Sequence, residues 1–129
     1  MKFCPDCGHE RPIDDFHVSR TARDGRQGYC RKHQKRRAVE CGWRRQGIRG
    51  MTWSRFVAMK SERHNRCDIC GRTPAEAGHP DKELAVDHDK QNGEVRGLLC
   101  NCCNPGIGMM ADDLVVLRAA IAYLEANRI

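Results

Sequence analysis

The sequence predicts a small α+β fold that bound metal ions hold together. The chain has 129 residues, of which 9 are cysteine and only 5% are aromatic. So few aromatic residues indicate a small apolar core, which rarely stabilises a small domain alone. Bound metal ions or disulfides then supply the rest of the folding stability. The cysteines fall into closely spaced pairs, and two of these pairs flank a short strand–turn–strand pattern.

The paired cysteines are predicted to bind metal rather than to form disulfides. The N-terminus lacks the apolar run of a signal peptide, and no apolar stretch is long enough to cross a membrane. We therefore expect a reducing, cytoplasmic setting with no membrane partner. In that setting, cysteines spaced by two residues indicate zinc sites.

The net charge of +6 is unevenly distributed. Residues 1–66 contain 17 Lys+Arg against 7 Asp+Glu, whereas residues 67–129 contain 6 against 10. A basic first half indicates a polyanionic partner such as DNA, and an acidic second half suits a cation. The alternative is a charged surface that is only solvated.

The first element is predicted to be a zinc-ribbon-like module over residues 1–34. A spacing of two residues lets a tight turn aim two ligands at one ion. Two such pairs complete a tetrahedral set: Cys4, Cys7, Cys30 and His33. Cys41 or His17 is an alternative fourth ligand in place of His33. Four apolar residues are available as a minimal core: Phe3, Ile13, Phe16 and Tyr29.

Residues 35–51 are predicted to be a basic helix or linker, within a helical pattern over residues 31–49 that Gly47 ends. The pattern has no strong core-facing stripe. It therefore fits either phosphate contact or a connection between two zinc modules. Its candidate DNA-binding residues are Arg36, Arg37, Arg44 and Arg45.

A second domain is predicted over residues 52–129 and begins with a helix over 53–62. Thr52 suits the N-cap of this helix. Trp53, Phe56 and Val57 follow the i, i+3, i+4 spacing of an apolar helix face. We expect this face to pack against the module that follows it.

The central module over residues 67–110 is predicted to hold a second zinc ion. Its ligands are again two pairs: Cys67, Cys70, Cys100 and Cys103. Each predicted site has four protein ligands, so both zinc ions should be structural. Two strands are expected inside this module, over 84–86 and 95–99, joined by an Asn-Gly turn. A helix should start near Asn104.

The last helix is predicted to start at Asp112 and Asp113, which suit its capping position and its dipole. Its apolar stripe consists of Leu114, Leu117, Ile121 and Leu124. The stripe is expected to pack onto the central module. A homodimer seam is the alternative.

Three polar residues of the central module form a candidate catalytic group. His88 can accept a proton from water near neutral pH, and Asp87 and Asn104 offer hard oxygen ligands for magnesium. Neighbouring residues of a regular strand face opposite sides, so Asp87 and His88 act together only at a bulge or a strand end. The alternative is that Asp87, His88 and Asp89 form a polar hairpin tip.

The central motifs resemble those of the phage recombination endonuclease VII family. The similarity covers about residues 52–127 and is most specific in the run from Val95 to Asn104, Val-Arg-Gly-Leu-Leu-Cys-Asn-Cys-Cys-Asn. The resemblance implies a ββα-metal (HNH) nuclease core and a dimer that resolves branched DNA such as Holliday junctions. It also implies that Cys67, Cys70, Cys100 and Cys103 bind zinc, that Asp87 and Asn104 bind magnesium, and that His88 is the general base. Residues 1–34 are similar to the zinc-finger leader of some phage members, which would place the protein in the bacterial host.

Lys90 departs from the family pattern, because members often carry a second histidine at this position. A charged lysine cannot bind a metal but can contact phosphate, so Lys90 is a further candidate DNA-binding residue. The leading hypothesis is a magnesium-dependent DNA endonuclease. A nicking or homing-type HNH enzyme on duplex DNA, a non-catalytic zinc-dependent nucleic-acid-binding regulator and, more weakly, a protein-interaction adaptor are the alternatives.

Overall fold

The computed structural model describes residues 1–128, which form two short antiparallel sheets and four helices, as the predicted small α+β class requires. The elements in chain order are β1 (Lys2–Cys4), β2 (His9–Arg11), α1 (Arg31–Arg45), α2 (Trp53–Glu62), β3 (Ala85–His88), β4 (Val95–Leu99), α3 (Cys103–Met109) and α4 (Leu114–Ala126). None of the helices described over residues 1–128 combines the length and the apolar character needed to cross a bilayer.

The N-terminal module is a β1–β2 hairpin closed over a very small core. Phe16 is fully buried there together with Cys4 and Cys30. The prediction that Phe3 and Ile13 join this core is wrong, because both side chains are exposed. Successive side chains of a strand point to opposite faces of the hairpin. Because Cys4 points into the core, the side chain of Phe3 before it points to solvent.

Helix α1 is shorter than the predicted 31–49 pattern and ends at Arg45. Gly47 follows in the left-handed region with φ +80, which glycine adopts without steric cost. As expected, the helix has no strong core-facing stripe, but its one buried residue, Trp43, is only 8% exposed and joins the main core. Its ring centroid lies 5.4 Å from that of Phe56 in α2. The basic helix is therefore anchored to the central module.

Helix α2 begins as its sequence predicts. The Thr52 hydroxyl accepts a hydrogen bond of 3.2 Å from the backbone N–H of Arg55 and caps the helix. Phe56 is buried, and Trp53 packs against the same core. Val57, which was expected on this face, is exposed instead.

The central hairpin pairs β3 with β4. Strand β4 has the predicted bounds, whereas β3 covers Ala85–His88 rather than 84–86. Gly93 in the turn has φ +77, and a side chain there would overlap the carbonyl oxygen of Gly47. The backbone N–H of Arg49 also donates to the Gly93 carbonyl at 2.9 Å. The segment after α1 is thus locked against the hairpin turn.

Helix α4 projects its apolar residues into solvent. The Asp113 carboxylate caps it by accepting bonds from the N–H groups of Val115 and Val116. The expected packing of the stripe onto the central module is wrong, since Ile121 is 57% and Leu124 is 66% exposed.

Candidate active site

The N-terminal module brings its four predicted ligands together. The Nδ1 atom of His33 lies 3.9, 3.4 and 3.2 Å from the sulfurs of Cys4, Cys7 and Cys30. The Cys7 and Cys30 sulfurs are 3.7 Å apart. Zn–S bonds of about 2.3 Å in a tetrahedron place neighbouring sulfurs about 3.8 Å apart. The cluster therefore has the dimensions of a zinc site, with His33 rather than Cys41 or His17 as its fourth member.

A second cluster joins Cys67, Cys70, Cys100 and Cys103, whose sulfurs all lie within 4.8 Å of one another. Cys70 and Cys100 are 3.7 Å apart, again the edge of a zinc-sized tetrahedron. Cys102, the neighbouring spare thiol, instead donates toward the carbonyl oxygen of Ala77 at 3.6 Å. The two clusters can each hold one zinc ion.

The sulfurs of the second cluster differ in acidity. The Arg72 side chain donates to Cys70 at 3.4 Å and lowers the pKa of that thiol to about 6. Burial raises the pKa of Cys103 to about 12. Four sulfurs this close cannot all carry negative charge without a cation between them. Metal binding should therefore release protons from this cluster.

A β-bulge interrupts the ladder of the central hairpin between Asp87 and His88. Asp87 pairs with Gly97 and His88 pairs with Val95, so the ladder skips Arg96. His88 is also the last residue of β3. The expectation of a bulge or a strand end at this point is confirmed. Such a bulge redirects side chains that a regular strand would send to opposite faces.

Asn104 lies in the first turn of α3, directly after Cys103. The backbone N–H of Cys103 donates to the Cys100 sulfur at 3.3 Å, and that of Asn104 donates to the Cys100 carbonyl at 3.1 Å. Cys100 itself is fully buried. The second cysteine cluster thus fixes the start of α3 and with it the position of Asn104.

The three candidate catalytic residues line one cavity of ≈ 360 Å³. Its wall is formed by the residue after α1, the central hairpin and α3: Gln46, Val86, Asp87, His88, Lys90, Asn104, Pro105, Gly108 and Met109. Sequence reasoning did not identify Gln46, which follows α1 and is far from the motif along the chain. The cavity therefore lies where the basic helix meets the hairpin and α3.

The carboxylate of Asp87 is held by Arg96. Arg96 donates from Nε to Oδ2 at 2.7 Å and from Nη2 to Oδ1 at 2.9 Å. The same Nη2 atom lies 3.1 Å from Oδ2 of Asp112. These two carboxylates raise the pKa of the Arg96 guanidinium, mainly through the bonds to Asp87. Sequence reasoning assigned no role to Arg96 and placed Asp112 only at a helix start.

Lys90 and Asp89 have different surroundings. The Lys90 ammonium lies 3.7 Å from Oδ2 of Asp112 and remains largely exposed at the cavity edge. Asp89 accepts bonds from the backbone N–H groups of Gln91 and Asn92, which lower the pKa of its carboxyl. Asp89 therefore stabilises the hairpin turn, whereas Lys90 stays accessible to solvent at the cavity edge.

The four arginines predicted to bind DNA fall into two groups. Arg37 donates twice to the Asp6 carboxylate, at 2.9 and 2.8 Å, and lies over the Tyr29 ring. Arg36 lies over the Trp53 ring. Arg44 and Arg45 are exposed at the end of α1, immediately before Gln46 of the cavity wall. The latter pair is thus the one placed beside the cavity.

Comparison with solved structures finds a likeness to the crystal structure of the ββα-Me type II restriction endonuclease Hpy99I. The TM-score is 0.42 and the sequence identity 21%, over 95% of this chain and 64% of that one.

Two curated phage proteins resemble part of the chain. The Gene 59 protein of Mycobacterium phage D29 is 42% identical over 77 residues, and that of Mycobacterium phage L5 is 38% identical over 76. These matches cover 59% and 58% of this chain but only 44% of either relative. The chain thus spans less than half the length of the relatives it matches.

The family model for recombination endonuclease VII matches residues 42–126, which is more than half of the chain. The matched segment contains the second cysteine cluster and every residue of the cavity wall. The resemblance inferred from the Val95–Asn104 motif is confirmed, and the chain belongs to the recombination endonuclease VII family.

Proposed function

We propose that this chain is a magnesium-dependent DNA endonuclease that hydrolyses phosphodiester bonds. The observation that carries the proposal is the convergence of Asp87, His88 and Asn104 on one cavity of a ββα unit. A protein that only bound DNA would not need a carboxylate, an imidazole and an amide around the same space. In this proposal the protein acts in the cytoplasm of a phage-infected bacterium.

The residues around the cavity fit a magnesium ion. Asp87 offers a carboxylate oxygen and Asn104 a neutral amide oxygen, and both are hard ligands of the kind magnesium prefers. Magnesium commonly keeps several waters, so two protein ligands are sufficient. When bound, the ion neutralises charge that develops on the scissile phosphate. The two cysteine clusters would each hold a structural zinc ion.

His88 is the proposed general base. Its imidazole accepts a proton from a water molecule as the water oxygen bonds to the phosphorus atom, and the bond from phosphorus to the leaving oxygen breaks. The proposal is supported by the cavity that the His88 imidazole shares with Asp87, beside the bulge. Asn104 is kept in place because the neighbouring Cys103 belongs to the second cluster.

The DNA backbone is proposed to follow the end of α1 into the cavity. Arg44 and Arg45 would contact phosphates, since both are exposed and adjoin Gln46 in the cavity wall. Lys90 at the cavity edge would contact a phosphate near the scissile bond. Arg36 and Arg37 would contribute less, because each is already engaged within the protein.

We further propose that the protein is a homodimer that cuts branched DNA. The apolar stripe of α4 is exposed at Leu114, Ile121 and Leu124. Contiguous apolar surface of this kind is typical of an interaction site. A second copy seated on α4 would bring two active sites together, as paired cuts across a four-way junction require.

The test is to incubate the full chain with linear, nicked and four-way-junction DNA, with and without magnesium. We expect cleavage only with magnesium, and faster cleavage of the junction than of the linear duplex. Equal cleavage of all three forms would favour a nicking enzyme on duplex DNA. Binding without any cleavage would favour a zinc-dependent nucleic-acid-binding regulator instead.

A further inference from the structure

We propose that Arg96 is a positioning residue that occupies the Asp87 carboxylate until a divalent cation arrives, and then moves to Asp112. The inference rests on the proposed role of Asp87 as a metal ligand. Its starting observation is that Arg96 holds both Asp87 oxygens, at 2.7 and 2.9 Å. An arginine so placed competes with the cation for the same oxygen atoms.

The competition is strong because of where the pair lies. Asp87 is only 9% exposed, so water screens its charge poorly. A two-point bond between a planar guanidinium and a carboxylate is among the stronger ion-pair geometries. A cation on either Asp87 oxygen shares that oxygen with an Arg96 N–H group and is repelled by the guanidinium charge beside it. The Arg96–Asp87 pair therefore lowers the affinity of the cavity for metal.

Asp112 gives Arg96 a second partner. The Nη2 atom of Arg96 already lies 3.1 Å from Oδ2 of Asp112 while it bonds Oδ1 of Asp87 at 2.9 Å. A small rotation of the guanidinium thus exchanges one carboxylate for the other. The positive charge of Arg96 remains paired after the exchange, so release from Asp87 does not leave it isolated.

The backbone around Asp112 is built to place that carboxylate. Ala111 and Asp112 have φ values of 56 and 54, in the left-handed region that L residues rarely adopt. The backbone N–H of Asp112 donates to the carbonyl of Ile107 at 3.0 Å, which ties this turn to the end of α3. On the opposite side, the bulge removes Arg96 from the strand ladder. The left-handed turn at Asp112 and the bulge at Arg96 thus both lie at the Arg96–Asp112 ion pair.

The exchange predicts opposite effects from two substitutions. Arg96→Gln frees Asp87 and should tighten metal binding about tenfold, the equivalent of about 1.4 kcal/mol. Asp112→Asn leaves Arg96 with Asp87 alone and should weaken metal binding a few-fold. In the double variant the loss of Asp112 should no longer matter, because its effect acts through Arg96.

The experiment titrates manganese alone into the zinc-loaded full chain without DNA and follows the free-ion signal by electron paramagnetic resonance. Asp87→Ala is measured first and should abolish binding at the cavity. If Asp87→Ala binds manganese as the parent does, the proposed metal site itself is wrong. If Asp87→Ala loses binding but Arg96→Gln does not tighten it, only the positioning role of Arg96 is overturned.

Two controls separate direct competition from a general change in charge. Lys90→Gln removes a charge that pairs with Asp112 but does not touch Asp87, and Arg66→Gln removes one that pairs with Glu76 outside the cavity. Neither should tighten binding as Arg96→Gln does, and equal tightening by Lys90→Gln would overturn the proposal. If Asp112→Asn still weakens manganese binding in a chain that also carries Arg96→Gln, the proposal is overturned as well.

A conservative variant covers the case in which Arg96→Gln does not fold. Arg96→Lys keeps the charge but cannot form the two-point bond, so it should tighten manganese binding less than Arg96→Gln. Zinc content and a thermal melt show whether each variant is folded. A folded Arg96→Lys variant with the parent's affinity would contradict the competition.

Discussion

At the residue scale, the cavity depends on a few polar groups with separate tasks. In the proposed mechanism His88 accepts a proton and Asp87 and Asn104 offer oxygen ligands, while the structure shows Arg96 paired with Asp87. The ladder is irregular between Asp87 and His88, and both residues line the same cavity.

The first prediction concerns the oxygen ligands. Asp87→Ala and Asn104→Ala should each reduce cleavage at least about 10²-fold, a loss comparable with removing one transition-state stabiliser. The Asn104→Ala defect should be the smaller one and should be partly rescued by manganese, because a neutral ligand contributes less than a carboxylate. Initial rates on plasmid DNA at several metal concentrations are the measurement, and a defect that no metal concentration changes would contradict the ligand role.

Much of the site could be predicted from sequence because its motifs are local. The x2 spacings and the Asp-His pair lie within short segments, and the structure gathers these residues into two clusters and one cavity. The Arg96–Asp87 pair was not foreseen, because it depends on a bulge that shifts the register of β4. Asp112 was assigned to capping, yet only Asp113 caps α4.

At the element scale, α1 joins the N-terminal module to the cavity. Its sequence shows a basic helix with few apolar positions, which fits either phosphate contact or a linker. Trp43 nevertheless packs on Phe56, and the following Arg49 bonds the hairpin turn. This anchoring depends on tertiary contacts, so no periodic pattern in the sequence predicts it. The same holds for Gln46, whose place in the cavity wall follows from where α1 ends.

The second prediction concerns DNA binding by α1. Arg44→Ala with Arg45→Ala should weaken binding to any sequence and reduce the slope of log affinity against log salt by about 1.8, since each phosphate contact contributes about 0.9. Arg36→Ala with Arg37→Ala is the matched control, because it removes the same charge from the same helix. Its slope should change less, since Arg37 is paired with Asp6. An equal or larger change in the control would contradict this placement of the DNA.

The third prediction concerns α4. Ile121→Glu with Leu124→Glu should convert a dimer into monomers that stay folded, because both side chains are exposed within one chain. Ala119→Glu, on the opposite face of the helix, should leave the dimer intact. Analytical ultracentrifugation gives the oligomeric state. A parent protein that is monomeric at every concentration would exclude the α4 interface.

At the scale of the whole molecule, two small cores are held by two cysteine-rich clusters. The N-terminal core is little more than Phe16 between Cys4 and Cys30, and the main core gathers around Trp43, Phe56 and Leu98. The α+β class was predictable because low aromatic content and paired cysteines point to a metal-stabilised domain. The exposure of α4 could not be predicted from the sequence, because an apolar stripe is found both on a helix packed against a core and on a helix in a dimer interface.

The fourth prediction concerns zinc. Protein purified without chelator should contain two zinc ions per chain, because eight ligands form two four-ligand clusters. Zinc should be lost on acidification, since protons compete for the thiolates: the pKa of Cys70 is about 6 and burial raises that of Cys103 to about 12. Elemental analysis at decreasing pH is the measurement. One zinc or none at neutral pH would contradict the assignment of both clusters.

The most direct test of the central claim is cleavage by His88→Ala beside the parent protein, on supercoiled plasmid and on a four-way junction with magnesium. The variant should lose about 10²–10⁴-fold in rate, the usual cost of removing a general base. Its DNA affinity and zinc content should match the parent, because His88 belongs to neither cysteine cluster. A His88→Ala variant that cuts both substrates at the parent's rate would show that the cavity is not the active site.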